Sequence, residues 1–379
     1  MTAVRVLFST HGAFGHFHPL APLALAAQDQ GHEVVVATGP DLADWVTACG
    51  LRAERVGLTS AQTAAGVAAL PPGDRSLAMF HRFSTIAVPA TLADLQELAR
   101  TWQPDVVVHE EGEYAAPLFA TLHGVPCVTH SWAAPARPLK ERELYRELLS
   151  PLWSAQGLTE PPHTSGAIYL DSCPPPYQWD EIASIPGVVA QRPGMFDGPP
   201  TPTPDWLRDL PRPAVYITFG TVAAFSRPEL LRAAVQALEP IVASVVVTTG
   251  PNPPDAVGIS SPHVHVLDYL PQSQALAEVD LVMSHGGAGT TVGALAHGLP
   301  HLVVPGPAPS QQRNAQRTQA IGLGLHVDQD ADVEVVRTAA QQLLDDPVFG
   351  SACAAGRASL EQLPGVDQAV QLLESLVGG

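Results

Sequence analysis

Twice along this chain, short runs of apolar and β-branched residues alternate with longer helical patterns, and a proline-rich stretch separates the two series. Such alternation is the signature of parallel sheets whose crossover helices cover both faces. In the first series strands are predicted at 4–9, 33–38, 51–56, 105–109 and 126–129, with a helix over 19–30. The valine triplets at 34–36 and 106–108 favour strand because branched side chains suit the pleat. In the second series strands are predicted at 214–219, 244–249, 263–267, 280–284 and 301–305, with helices over 227–241, 289–297 and 311–321. The expected organisation is one α/β domain over 1–196, a stiff Pro-rich linker over 197–213 and a second α/β domain over 214–379. Two Rossmann-like halves, each opening on an apolar strand and a glycine-containing turn, imply a ligand cleft at the strand C-termini.

Composition removes several alternatives. At 379 residues, 46% apolar and 15% charged, the chain is long enough for two or three compact domains and is not disordered. Thirty-seven acidic against 19 basic residues give a net charge of −18, which excludes phosphate-backbone binding as its main business. Lys140 is the sole lysine and Gly-Lys occurs nowhere, so there is no Walker A loop. Cys49, Cys127, Cys173 and Cys353 are scattered, without the spacing of a zinc knuckle or a disulfide framework, which fits a reducing cytoplasm. No secretory segment is visible at the N-terminus. The stretch 281–312 lacks any charged side chain, but its six glycines and four prolines argue against a membrane span. His16-x-His18 and His263-x-His265 each lack a third ligand nearby, so no metal is assigned.

The most informative segment is Met283-Ser284-His285-Gly286-Gly287-Ala288-Gly289-Thr290-Thr291, a strand running through a histidine into a glycine turn and a helix. Glycines admit close approach of a ligand to the backbone, and the N–H groups of Gly289, Thr290 and Thr291 at the helix start suit an anion such as a diphosphate. His285 adds a neutral or cationic donor and Thr290 a hydroxyl. Upstream, Asp268-Tyr269-Leu270-Pro271-Gln272 offers an aromatic face for a nucleobase and backbone groups for its edge. Downstream, the proline-held loop 305–314 delivers amide side chains suited to sugar hydroxyls.

Together these elements resemble the nucleotide-sugar signature of GT-B fold glycosyltransferases, the class of the UDP-glucuronosyltransferases and bacterial antibiotic glycosyltransferases. Aromatic-x-Pro-Gln, His-Gly-Gly-x-Gly-Thr and x-Gln-x-x-Asn-Ala occur in order between Val266 and Gly324, and Val6 to Pro19 with Gly31-His32-Glu33-Val34 resembles the family's N-terminal strand, loop and helix. The resemblance implies that Tyr269 stacks the base and Leu270 bonds it through backbone. It implies that His285, Gly287, Gly289 and Thr290 hold the diphosphate, with Ser310 and Gln311 near the sugar and Thr218, Gly220 and Thr221 approaching from the other side. No metal or other cofactor is implied, and the helix 366–377 is expected to cross back to the first domain.

Two departures from the family pattern matter. Ser310 stands where relatives place an acid before the glutamine, which suits a deoxygenated or modified hexose, and Gly293 stands at the usual ribose-holding acid. Phe14 occupies the position of the usual base when the chain is aligned on Gly15-His16-x-x-Pro19. Histidines nevertheless crowd the loop, and an imidazole near neutral pKa is the natural base for a hydroxyl. His16 is the first candidate and His11 the second, with His18 read as structural. Glu110 matches the family's orienting carboxylate, and Glu111 and Glu113 are alternatives, although three acids in four residues usually form a solvated loop. The segments 59–82 and 131–179, the latter with Trp132, Trp153, Trp179, Tyr145, Tyr169 and Tyr177, are the expected acceptor walls.

The expected activity is inverting transfer of a deoxysugar from a dTDP-activated donor to a secondary-metabolite aglycone. The expected partners are that nucleotide sugar, the small acceptor and a second copy of the chain, with neither nucleic acid nor membrane. Rival readings are a GT-B nucleotide-sugar epimerase or envelope glycosyltransferase, and a non-catalytic nucleotide-sugar-binding partner of another transferase, the last motivated by Phe14.

Overall fold

A computed structural model describes residues 3–222 and 225–378. The chain divides into two compact units: one comprises the described residues of Met1–Cys173, Gln178–Pro199 and Pro364–Gly379, the other those of Pro174–Tyr177 and Pro200–Leu363.

The first unit holds a seven-stranded sheet of β1 (Arg5–Thr10), β2 (Glu33–Thr38), β3 (Arg52–Arg55), β4 (Val106–Glu110), β5 (Cys127–His130), β6 (Ile168–Asp171) and β7 (Val188–Ala190). Every pairing is parallel, in the order β3-β2-β1-β4-β5-β6-β7. The valine triplets behave as period-2 geometry requires. Val34 and Val36 enter one core with the helix Ala21–Asp29, whereas Val35 enters the opposite core with the helices Ala87–Ala99 and Ala115–His123. Full burial of each such side chain contributes about 1.5–3 kcal/mol. The helix Val366–Val377 adds Ala369, Val370 and Leu373 to the first of these cores, and Gln30 Nε2 donates to its Asp367 at 3.0 Å.

The second unit repeats the plan with six parallel strands, β8 (Ala214–Thr218), β9 (Ser244–Thr248), β10 (Val264–Leu267), β11 (Leu281–Ser284), β12 (His301–Val303) and β13 (Gly324–His326), ordered β10-β9-β8-β11-β12-β13. Each sheet therefore has one place where the strand order reverses, between β1 and β4 and between β8 and β11. Loops leaving the C-terminal ends of two such neighbours diverge to opposite faces and leave a crevice. Thr10 and Glu110 end the first pair, and Thr218 and Ser284 the second.

The expected helix 19–30 is observed as Ala21–Asp29, and a single turn, Phe14–Phe17, precedes it. Pro22 lies in the first turn of the latter, where its fixed φ and missing N–H are tolerated. Among the described residues no helix is long and apolar enough to cross a membrane.

Candidate active site

In the first unit, the loop after β1 lies directly against the loop after β2. A Cβ on Gly12 would stand 2.9 Å from the Gly39 Cα, so neither glycine can carry a side chain without displacing backbone. This contact sets the start of the turn Phe14–Phe17, which presents His16 toward the end of β4.

His16 Nδ1 lies 2.8 Å from Glu110 Oε1. The other carboxylate oxygen of Glu110 accepts from the Gly112 N–H and from the Trp132 indole N–H, each at 2.5 Å. Burial alone would raise the Glu110 carboxyl, but His16, His11 and the Gly112 N–H outweigh it and hold it at about 2. An ionised carboxylate accepts from Nδ1–H and leaves the His16 Nε2 lone pair unengaged. The His16 side chain keeps 18% of its surface exposed and lines a pocket with His11.

His11 is placed differently. Its Nε2–H donates to the Gly112 carbonyl at 3.0 Å, and burial pushes it down to about 4 against the pull of Glu110. Its ring meets that of His16 edge-on at 5.4 Å. Both histidines line an open pocket with Asp41, Arg82, Phe83 and Glu113. His18 instead sits among Phe14, Trp45 and Phe196, where burial lowers it to about 4.

The acids at 110–113 are not a solvated loop, since all three are buried. Glu111 accepts the Tyr169 hydroxyl at 2.6 Å. Glu113 accepts from the N–H groups of Ala115 and Ala116 at 2.7 and 3.0 Å, and burial raises it to about 7. The aromatic walls also need correction. Trp153 and Tyr145 are core residues and Tyr177 bonds Thr318 within the second unit, whereas Trp132 packs on the His16 ring at 4.7 Å, as Phe83 does at 5.5 Å.

In the second unit, Ser284 at the end of β11 fastens the glycine turn by accepting from the Gly286 N–H at 3.0 Å, with its hydroxyl 2.7 Å from His301 Nε2. Asn314 Nδ2 donates to the Gly286 carbonyl at 2.8 Å from the helix Pro309–Ala320. His285 stacks on Phe225 with ring centroids 5.9 Å apart. Burial drives His285 to about 4 despite a hydrogen bond with the Thr218 backbone, so it is neutral, and the cationic option is removed. Its Nδ1 is sealed from solvent without a partner in the described chain.

Thr218 ends β8, and Gly220 and Thr221 follow it. A Cβ on Gly220, at φ +79°, would meet the His285 ring at 2.8 Å, and one on Gly287 would meet it at 2.6 Å. The helix Ala288–His297 starts one residue earlier than expected, and the Thr291 N–H is already bonded to the Gly287 carbonyl. The N–H groups left for an anion are therefore those of Ala288, Gly289 and Thr290. A Cβ on Gly289 would meet nothing within 4 Å.

Gln272, read in the sequence only as part of a turn, donates to the Thr290 hydroxyl at 2.8 Å and so ties the aromatic element to the glycine turn. Tyr269 is 45% exposed, whereas Leu270 is buried. Gln311 is buried with its Oε1 unpaired, and Ser310 is exposed. Sequence reasoning missed the fastening roles of Gln272, Ser284, His301 and Asn314. Gln272 and Asn314 stood inside recognised motifs, but a polar residue in a motif reads equally as a ligand contact. Among the described residues no three His, Cys, Asp or Glu side chains cluster as a metal site.

The sequence model for erythromycin biosynthesis protein CIII-like proteins matches through its N-terminal domain at residues 25–220 and its C-terminal domain at 232–376. The L-demethylnoviosyl transferase of Streptomyces niveus is 32% identical, covering 87% of this chain and 86% of its own. The aklavinone 7-beta-L-rhodosaminyltransferase of Streptomyces galilaeus is 30% identical, covering 98% and 96%. The crystal structure of the glycosyltransferase VinC in complex with dTDP matches with a TM-score of 0.81 at 25% identity, over 98% of this chain and 99% of that one. With its doubly wound α/β units and these relatives, the chain belongs to the erythromycin biosynthesis protein CIII-like family of GT-B antibiotic glycosyltransferases.

Proposed function

We propose that this chain transfers a deoxysugar from a dTDP-activated donor to a hydroxyl of a secondary-metabolite aglycone, with inversion at the anomeric carbon and without a metal. The observation that carries the reading is the His16–Glu110 pair at the strand-order reversal of the first sheet, at 2.8 Å. His16 Nε2 takes the acceptor proton, and Glu110 holds the imidazole through Nδ1–H and stabilises the imidazolium that forms. The acceptor oxygen attacks the anomeric carbon opposite the diphosphate, and the C–O bond to the diphosphate breaks. The N–H groups of Ala288, Gly289 and Thr290 receive the departing charge in place of a cation, at a turn packed against the His285 ring. Tyr269 stacks the thymine, and Ser310 and Gln311 face the sugar.

Support for dTDP comes from the VinC complex, and support for deoxysugars from the sugars named for the relatives. The pairing of His16 with Glu110 supports the catalytic reading over a non-catalytic partner, because it offers a candidate base although Phe14 replaces the usual one. All four cysteines are free, in keeping with a reducing compartment.

Isothermal titration with dTDP, UDP and GDP, repeated on His285→Ala, tests the donor half. The expected result is a preference for dTDP that falls at least tenfold in the variant. Absence of binding to all three nucleotides overturns the donor site.

A further inference from the structure

A second, small pocket lies in the first unit, bordered by Glu111, Tyr114, Arg137, Arg142, Tyr169 and Ile185. Its polar lining is unbalanced. Arg137 Nε and Nη2 and Arg142 Nε are sealed from solvent and have no hydrogen-bond acceptor. Arg142 spends Nη2 on the Ser184 hydroxyl. The Arg137 guanidinium lies over the faces of Trp132 and Tyr145, 4.6 and 5.3 Å from the ring centroids. Ring faces attract the cation but do not take the in-plane N–H groups. Glu111 and Glu141 act on Arg137 through their charge, yet neither accepts from these nitrogens, and Glu111 already receives the Tyr169 hydroxyl. Buried donors left unpaired are costly, so the cavity is built for a group rich in acceptor oxygens.

The position of this cavity indicates what brings that group. Trp132 carries Arg137 against its ring, packs edge-on against His16 at 4.7 Å, and donates its indole N–H to Glu110. One indole thus separates this guanidinium, which is hydrogen-bonded to Tyr145 but has no acceptor for Nε and Nη2, from the His16–Glu110 pair. We propose that the cavity is an acceptor subsite that takes an anionic oxygen group of the aglycone, a carboxylate or phenolate, on Arg137 with help from Arg142. This rests on the acceptor side of the proposed transferase function. Guanidinium is the suited donor because its fork matches two oxygens or one oxygen's two lone pairs.

The test uses the full chain and benzoate as the probe, with benzamide as its neutral counterpart, at constant chloride and ionic strength, read by tryptophan fluorescence and calorimetry. Benzoate is expected to bind saturably and at least tenfold more tightly than benzamide. Arg137→Met is expected to lose at least tenfold and Arg142→Met severalfold, both with dTDP affinity unchanged. Equal binding of the two probes overturns the proposal, as does benzoate binding by Arg137→Met at parental strength. If Arg137→Met does not fold, the benzoate-to-benzamide ratio on the parent and on Arg137→Lys decides, a ratio near one contradicting the site. A parent that binds benzoate but no dTDP sinks the transferase reading and leaves the anion site standing. A parent that binds dTDP but not benzoate does the reverse.

Discussion

His16 and Glu110, 94 residues apart in sequence, meet at 2.8 Å because β1 and β4 are neighbours at the reversal of the first sheet. The parallel register sets Ser9 beside His109, so the residues just beyond each strand end emerge together. The fold thereby joins the last residue of β4 and a residue of the turn Phe14–Phe17 in one hydrogen-bonded pair.

Glu110→Gln should destabilise the protein in a pH-dependent way. The folded carboxyl is held at about 2 against an ordinary value of 4.5, so between these values the unfolded chain binds more protons. The resulting stability is fully present above about pH 4.5 and is lost as pH falls toward 2. At about 1.4 kcal/mol per unit, its contribution at pH 7 is on the order of 2–4 kcal/mol. Urea melts of parent and variant at pH 7 and pH 3 should show the gap between them narrowing at the lower pH.

Trp132→Phe removes the indole donor to Glu110 while keeping an aromatic ring beside His16. A hydrogen bond to a charged group contributes about 1.5–3 kcal/mol, so kcat should fall roughly 10- to 100-fold if the bond is needed to hold the carboxylate. The KM for the donor should stay within about twofold, because Trp132 belongs to the first unit. Steady-state kinetics with varied donor separates the two parameters.

Gly287→Ala and Gly289→Ala should differ. The first pushes a methyl to 2.6 Å from His285 Nε2, so both thermal stability and dTDP affinity should drop. The second meets nothing within 4 Å and should leave the melting temperature unchanged or slightly raised, since alanine favours helix over glycine by about 1 kcal/mol. If Gly289 is there for a diphosphate, dTDP affinity should nevertheless fall at least tenfold. Unchanged affinity in Gly289→Ala would remove the anion from the helix start.

The legible parts of this fold were those with enough length to show a period. Glu33–Thr38 and Val366–Val377 fall where the apolar pattern puts them, because a six-residue strand with five consecutive buried residues or three helical turns leave a clear trace. Ile168–Asp171, Val188–Ala190 and Gly324–His326 are strands of three or four residues and leave no such trace in the sequence. In such short strands tertiary pairing decides, not local preference. The donor turn was legible because its chemistry is local, strand to glycine to helix within nine residues. The burial of Glu111 and Glu113 was not, since it depends on Tyr169 and on the N–H groups of the helix Ala115–His123. A cluster of acids read without those partners looks like solvent-facing loop.

Turnover of a dTDP-deoxysugar with an accepted aglycone, compared across the parent, His16→Ala, His11→Ala and Glu110→Gln, tests the central claim most directly. His16→Ala should lose at least ~10³-fold in kcat and Glu110→Gln roughly 10²-fold, the range expected when a positioned base or its partner is removed. His11→Ala should stay within about tenfold, since its Nε2–H is committed to the Gly112 carbonyl. Near-parental turnover by His16→Ala would contradict the assignment of His16 as the base.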